Sequence, residues 1–258
     1  MNFLIASAPM PLAVSVWHTI VNAFASFFQN IGHEFYQSLI QKGRYRYILT
    51  GLGNTLLITL FAVLLGVVLG TAVSLVKVAH ANNPRKLRFW NGVCTVYLTV
   101  IRGTPVVVQL LIMYYVILGS TNVNKLVAAI LAFGINSGAY VAEVIRSGIQ
   151  SVDKGQVEAG RSLGLSQRTT MVKIVFPQAL KNVLPAIGNE FIALLKETSV
   201  AGYIGIQDLT KGGDIIRSIT YLAFTPLLTT ALVYLVIVIG LTALLTKFER
   251  RLHRSDNR

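Results

Sequence analysis

The chain has 258 residues, of which 53% are apolar and 13% charged, and its mean hydropathy of +0.62 is too high for a soluble globular protein of this length. A net charge of +13 does not point to nucleic acid, because Lys and Arg fall in short clusters between apolar runs and build no long basic face. The single cysteine, Cys94, excludes an internal disulfide and a cysteine-based metal site, and His18, His33, His80 and His253 lack metal-ligand spacing.

Residues 3–28 carry no Asp, Glu, Lys or Arg. Pro9 and Pro11 interrupt them early, and no basic segment precedes them as it would in a secretory signal. From Leu12 onward, Val16, Ile20, Phe24 and Phe27 recur at helical spacing opposite Ser15, His18, Asn22 and Ser26, the pattern of an interfacial helix, with a sixth span or a cleaved signal segment as the alternatives.

Charge-free runs then cover 47–76, 103–124, 126–142 and 218–246, and about 20 apolar residues suffice to cross hydrocarbon. Hydropathy and helix breakers predict five spans, at about 51–76, 91–118, 126–145, 183–205 and 222–246. Fifteen Lys and Arg fall in the connections on one side, 77–88, 146–181 and 247–258, against six on the other. The richer side is expected to be cytoplasmic, with the N-terminus outside and the basic tail inside, close to anionic lipid.

Between the third and fourth expected spans lie polar residues with their own structural signals. Residues 156–163 are good helix formers, Gly164 is placed to end a helix, Ser166 to cap a second one running to Val175, and Pro177 to limit it. Periodicity alone leaves two readings open, a protruding elbow or an amphipathic segment on the bilayer surface.

Charged groups inside the spans need a partner or a task. Arg102 precedes Gly103, Thr104 and Pro105, where the proline is expected to kink the helix and free carbonyls. Those carbonyls, with Thr104 and Gln109, are candidates to line a cavity, and Arg102 is expected to pair with a carboxylate from another helix. Glu143 and Arg146 are spaced to pair along one helix. Asn136, Ser137 and Tyr140 form a polar patch one turn outward. Glu190 lies about seven residues, roughly 10 Å, into the fourth span, and its helical neighbours Ala186, Ile187, Ala193 and Leu194 are all apolar. It is expected to face a solute, or else a cation such as Arg102 or Lys196.

The segment 158–177 resembles the signature loop of permease subunits of ABC importers: Glu-Ala-Ala, three residues, Gly, nine residues, then Ile, any residue, Leu, Pro. Here Glu158, Ala159 and Gly160 occupy the triplet, Gly164 the glycine, and Ile174, Phe176 and Pro177 the end, with Gly160 in place of Ala and Phe176 in place of Leu. IRGTPVVVQ at 101–109, SGAYVAEVIRSGI at 137–149 and GNEFIALLKETS at 188–199 resemble the polar amino acid branch of that family, so the likeness covers about 47–246.

The resemblance implies an all-α integral membrane protein with the five-helix type I importer permease fold. It would comprise an N-terminal segment over 1–46, a transmembrane domain over 47–246 with a cytoplasmic coupling loop at about 150–180, and the tail 247–258. It implies that the loop inserts into a groove of a cytoplasmic ATPase, with Glu158, Ala159, Gly160, Arg161, Ser162, Leu163, Gly164 and Leu165 at the contact. Two such ATPases, a second permease subunit identical or homologous to this one, and an extracytoplasmic amino acid binding protein are the implied partners, in a bacterial cytoplasmic membrane. Glu190, Thr104, Gln109, Ser137 and Tyr140 are the implied solute contacts. No GxxxxGK[ST] phosphate loop occurs in the chain, so ATP and magnesium are expected on the partner and no cofactor on this chain. A secondary transporter or channel driven by an ion gradient is the alternative. The lack of an evident internal repeat and the few carboxylates within the spans argue against it.

Overall fold

The computed structural model describes residues 30–253 together with Trp17, Thr19, Val21, Asn22 and Ser26. The interfacial helix expected near the N-terminus lies mostly outside the described residues, as does the tail beyond His253.

Every regular element among the described residues is helical. Helix α1, Tyr45–Asn82, ends where Asn83 turns extended (φ −147°), because the residue before Pro84 is sterically excluded from the helical region. Helix α2, Arg88–Gly103, stops by the same rule at Thr104, extended before Pro105. Helix α3, Val106–Leu111, continues through a π-helical stretch, Ile112–Ile117, and the arm Val106–Ile117 leaves α2 at 110°. The kink expected at Pro105 is therefore a full break.

Helix α4, Lys125–Gln150, opens at Asn124, whose side chain accepts from Leu126 N–H at 2.9 Å. Two short helices follow, α5 over Lys154–Ser162 and α6 over Gln167–Thr170. The chain then stays helical without a gap through π-helical Met171–Val175, α7 over Phe176–Glu197, and a 3-10 stretch, Thr198–Ile204. Pro177 therefore does not stop the second elbow helix. It stands in the first turn of α7 after a widened π turn, where the N–H it lacks has no helical partner to lose.

The connection expected between the last two spans is itself a helix, α8, Leu209–Thr220, followed by α9, Phe224–His253. Leu209, Gly212, Gly213 and Ile216 form its buried face, and Leu209 and Ile216 cluster with Leu39 and Ile48 under Val233 and Tyr234.

Among the described residues α1, α4 and α9 are each long and apolar enough to cross a membrane, and the broken pair α2–α3 counts as a fourth candidate. The fourth expected span, 183–205, is present as helix α7, but Lys181, Asn182, Asn189, Glu190, Lys196 and Glu197 lower its apolarity. Helix α4 is the central element. Ala129, Ala132 and Phe133 pack with Ile58 of α1, Leu110 of α3 and Leu194 of α7, all buried.

Candidate functional site: an elbow and a polar cluster between the helices

The elbow is built by local hydrogen bonding. Asp153 opens α5 by accepting from Gly155 N–H at 2.6 Å. At its end Leu165 N–H donates to Gly160 carbonyl at 3.1 Å and Gly164 N–H to Arg161 carbonyl at 3.0 Å. This paired closure requires a left-handed residue, and Gly164 supplies it at φ +80°. Ser166 then caps α6, its hydroxyl accepting from Thr169 N–H at 3.2 Å.

The two elbow helices close against each other through Gly160, where a β-carbon would stand 3.0 Å from both Thr170 Cγ2 and Ile174 Cδ1. Gly160 is thus buried inside the elbow, whereas Glu158, Ala159, Arg161, Ser162, Leu163 and Gly164 are exposed and Leu165 half-buried. The small size of Gly160, one of the residues the resemblance implies at the ATPase contact, serves the contact between α5 and the helix that follows. Leu163, 81% exposed, is the most exposed large apolar residue of the elbow.

The second group of residues surrounds the middle of α4. Ser137, fully buried, donates its hydroxyl to Glu190 Oε1 on α7 at 2.9 Å. Gly66 of α1 leaves it room, since a β-carbon there would come within 2.7 Å of that hydroxyl oxygen. Next to it, Asn136 donates to Gln109 Oε1 at 3.0 Å. Gln109 Nε2 in turn donates to Ile101 carbonyl at 2.7 Å, Thr104 carbonyl at 3.1 Å and Thr104 Oγ1 at 2.9 Å. The Ile101 and Thr104 carbonyls at the break are thus taken up by Gln109, and this group, ending at Asn136, adjoins the separate Ser137–Glu190 pair through the α4 backbone.

Tyr140 stands apart from that chain, its ring 5.8 Å from the Arg102 guanidinium. Arg102 faces Glu143 of α4 at 3.8 Å, the carboxylate from another helix expected for it, and Arg146 pairs with the same carboxylate along α4. Arg102 is therefore engaged elsewhere and does not neutralise Glu190.

One buried acid escaped the sequence reading. Asp208, fully buried, accepts from Thr210 N–H at 3.2 Å and Lys211 N–H at 3.1 Å as the cap of α8. Burial pushes its carboxyl up to about 6 despite those donors. The signal was present: an Asp followed by Leu209, Gly212, Gly213 and Ile216 at helical spacing. On the exposed side of α8, hydrogen bonds from Lys211 and Arg217 hold the Asp214 carboxyl below its ordinary range.

The family described as binding-protein-dependent transport system inner membrane component matches residues 81–254. The chain belongs to this family. The arginine transport system permease protein ArtQ of Bacillus subtilis strain 168 is 37% identical over 212 residues, covering 81% of this chain and 94% of that one. The glutamine transport system permease protein GlnP of Escherichia coli K12 is 38% identical over 190 residues, covering 72% and 87%. A crystal structure of an amino acid ABC transporter with histidines superposes with a TM-score of 0.75 at 43% identity, over 80% of this chain and 94% of that one. An inward-facing structure of the MetNI methionine ABC transporter superposes with a TM-score of 0.69 at 21% identity, a likeness of fold alone. The chain is a multi-pass permease subunit of an ABC importer, with the all-helical type I fold, and not itself the ATPase.

Proposed function

We propose that this permease carries a polar amino acid inward, that the ammonium group of the solute binds at Glu190, and that the elbow receives the force of ATP hydrolysis from a cytoplasmic partner. The carrying observation is the setting of Glu190. It is half-buried in α7, its 2.9 Å hydrogen bond comes from the neutral hydroxyl of Ser137, and among the described residues no ion pair joins it to a cation. A carboxylate so placed between membrane helices calls for a mobile cation. The named relatives handle arginine, glutamine and histidine, all of which carry an α-ammonium group.

The elbow is suited to its role by rigidity and by display. Its caps and its internal seam at Gly160 make it a lever, and Leu163 and Arg161 offer one apolar and one charged anchor to a groove. Two such permeases, identical or homologous, would enclose one path, with two ATPases below and an extracytoplasmic binding protein above. Closure of the ATPases on ATP and magnesium would draw the elbows together and rock the helices between outward and inward access. Lys and Arg distribution favours the elbow and C-terminus inside and α8 outside.

The test is reconstitution of the permease with its ATPase and binding protein, followed by uptake of arginine, histidine, lysine and glutamine. Glu190→Gln is expected to co-purify with the ATPase yet lower uptake of the preferred solute by at least about tenfold, the scale of a lost charge-assisted contact. Wild-type rate and apparent affinity in the assembled variant would remove Glu190 from the solute path.

A further inference from the structure

The break between α2 and α3 carries a second inference. A helix cut open at 110° leaves backbone acceptors that, inside a membrane, must be met by other groups. Here two side chains meet them, the Thr104 hydroxyl, which donates to Val100 carbonyl at 2.8 Å, and Gln109. Gln109 sits in the arm beyond the break, and its amide reaches back across the corner to Ile101 carbonyl and to both oxygens of Thr104. Its two amide hydrogens are shared among those three acceptors, so it has none left for a solute. Its carbonyl oxygen is bound by Asn136 of α4, a side chain only 3% exposed. The next residue along α4 is Ser137, the donor to Glu190.

We propose that Gln109 is a positioning residue that staples the broken span shut and, through Asn136 and Ser137, holds Glu190 in place for the solute. The second half rests on the reading of Glu190 given above; the first half does not. The corner, α4 and α7 then move as one hydrogen-bonded unit. The amide is irreplaceable in this role, because it must donate on one side, to carbonyls, and accept on the other, from Asn136. A carboxylate accepts only, and an aliphatic side chain does neither. Loss of the staple leaves Ile101 and Thr104 carbonyls without their donor, which loosens the corner rather than unfolding the helices.

Three variants separate the steps in the ATPase-bound complex: Gln109→Glu, Gln109→Leu and Asn136→Ala. The first readout is hydrogen exchange of residues 101–111, compared with α9 as an internal reference. The second is uptake, resolved into maximal rate and apparent KM. Both Gln109 variants are expected to speed exchange at the corner by about tenfold while α9 is unchanged. Asn136→Ala is expected to raise the apparent KM by about tenfold with a smaller effect on exchange at the corner. Unchanged exchange at 101–111 in both Gln109 variants would overturn the staple. Faster exchange with an unchanged KM in all three variants would overturn the link to Glu190 and leave the staple standing. If Glu190→Gln transports normally while the Gln109 variants loosen the corner, the solute reading fails and the staple does not.

Discussion

The backbone of Asp208 lies directly on Gly51 of α1. A β-carbon at Gly51 would stand 2.7 Å from the Asp208 carbonyl carbon and 2.9 Å from Leu209 Cα, distances that real side chains do not adopt. The start of α8 is seated on α1 only because residue 51 has no side chain, and Thr55 Oγ1, one turn on, accepts from Leu209 N–H at 3.1 Å.

Gly51→Ala is therefore expected to lower the stability of the purified complex by about 1–3 kcal/mol through overpacking, read as a fall in Tm. Gly53, two residues away, is exposed with nothing within 4 Å of an added β-carbon. Gly53→Ala is expected to be neutral or stabilising by up to about 1 kcal/mol through helix propensity. Equal Tm values for the two variants would contradict the seating of α8 on α1.

The Asp208 carboxyl, raised by burial from an ordinary 3.8 to about 6, makes the hold on α8 depend on pH. A raised acid pKa means that the folded state retains the proton. The contribution is fully present below 3.8 and is lost as pH rises through about 6. The charged and titratable groups beside it are Lys211, which opposes the shift, and Tyr234, whose hydroxyl lies 3.2 Å from Thr210 Oγ1. Protection of residues 209–220 from hydrogen exchange, corrected for intrinsic rates, is expected to fall by up to about tenfold between about pH 5 and pH 6 and then level off. Asp208→Asn is expected to flatten that profile, and a profile identical to wild type would show that another group is responsible.

At the elbow, two glycines are expected to fail differently. Gly164 has nothing within 4 Å of an added β-carbon but holds φ +80°, so Gly164→Glu strains the turn by about 1–2 kcal/mol and sets a charged side chain on the outward surface. The permease should fold and insert yet lose its ATPase. Gly160→Val should instead drive α5 from α6 and expose the elbow to protease. Leu163→Ala, which removes only an exposed apolar anchor, is expected to weaken ATPase binding by about tenfold with the elbow intact. Full ATPase stoichiometry and normal uptake in Gly164→Glu would end the coupling interpretation.

Orientation is testable with two cysteines in a Cys94→Ala background, since Cys94 is the one native thiol and is buried. Asp214→Cys on α8 is expected to react with an impermeant thiol reagent in intact cells, and Arg251→Cys near the end of α9 only after permeabilisation. Labelling of position 251 from outside would invert the topology.

Features governed by neighbours in the chain were legible from residue order. The apolar runs place α1, α4 and α9, Pro105 places the break, Gly164 and Ser166 place the elbow corner, and Glu143 with Arg146 forms its pair. Each depends on a backbone restriction or a one-turn spacing. Pro177 misled for a related reason: a proline ends a helix only where its missing N–H is needed, and a π turn upstream removes that need.

What tertiary structure decided is which segment covers which. Glu190 finds Ser137 across 53 positions, and Asn54 and Thr55 bind the residues around Asp208 across more than 150. Periodicity announces that a helix has a polar or a small-residue face without saying what will lie against it. Gly160 shows the limit: its place in the signature is readable, but whether its bare face turns outward to a partner or inward to Thr170 depends on how two short helices close. The same holds for Gln109, whose amide is as able to bind a solute as to staple a broken helix, until the 110° corner brings the carbonyls of Ile101 and Thr104 within its reach.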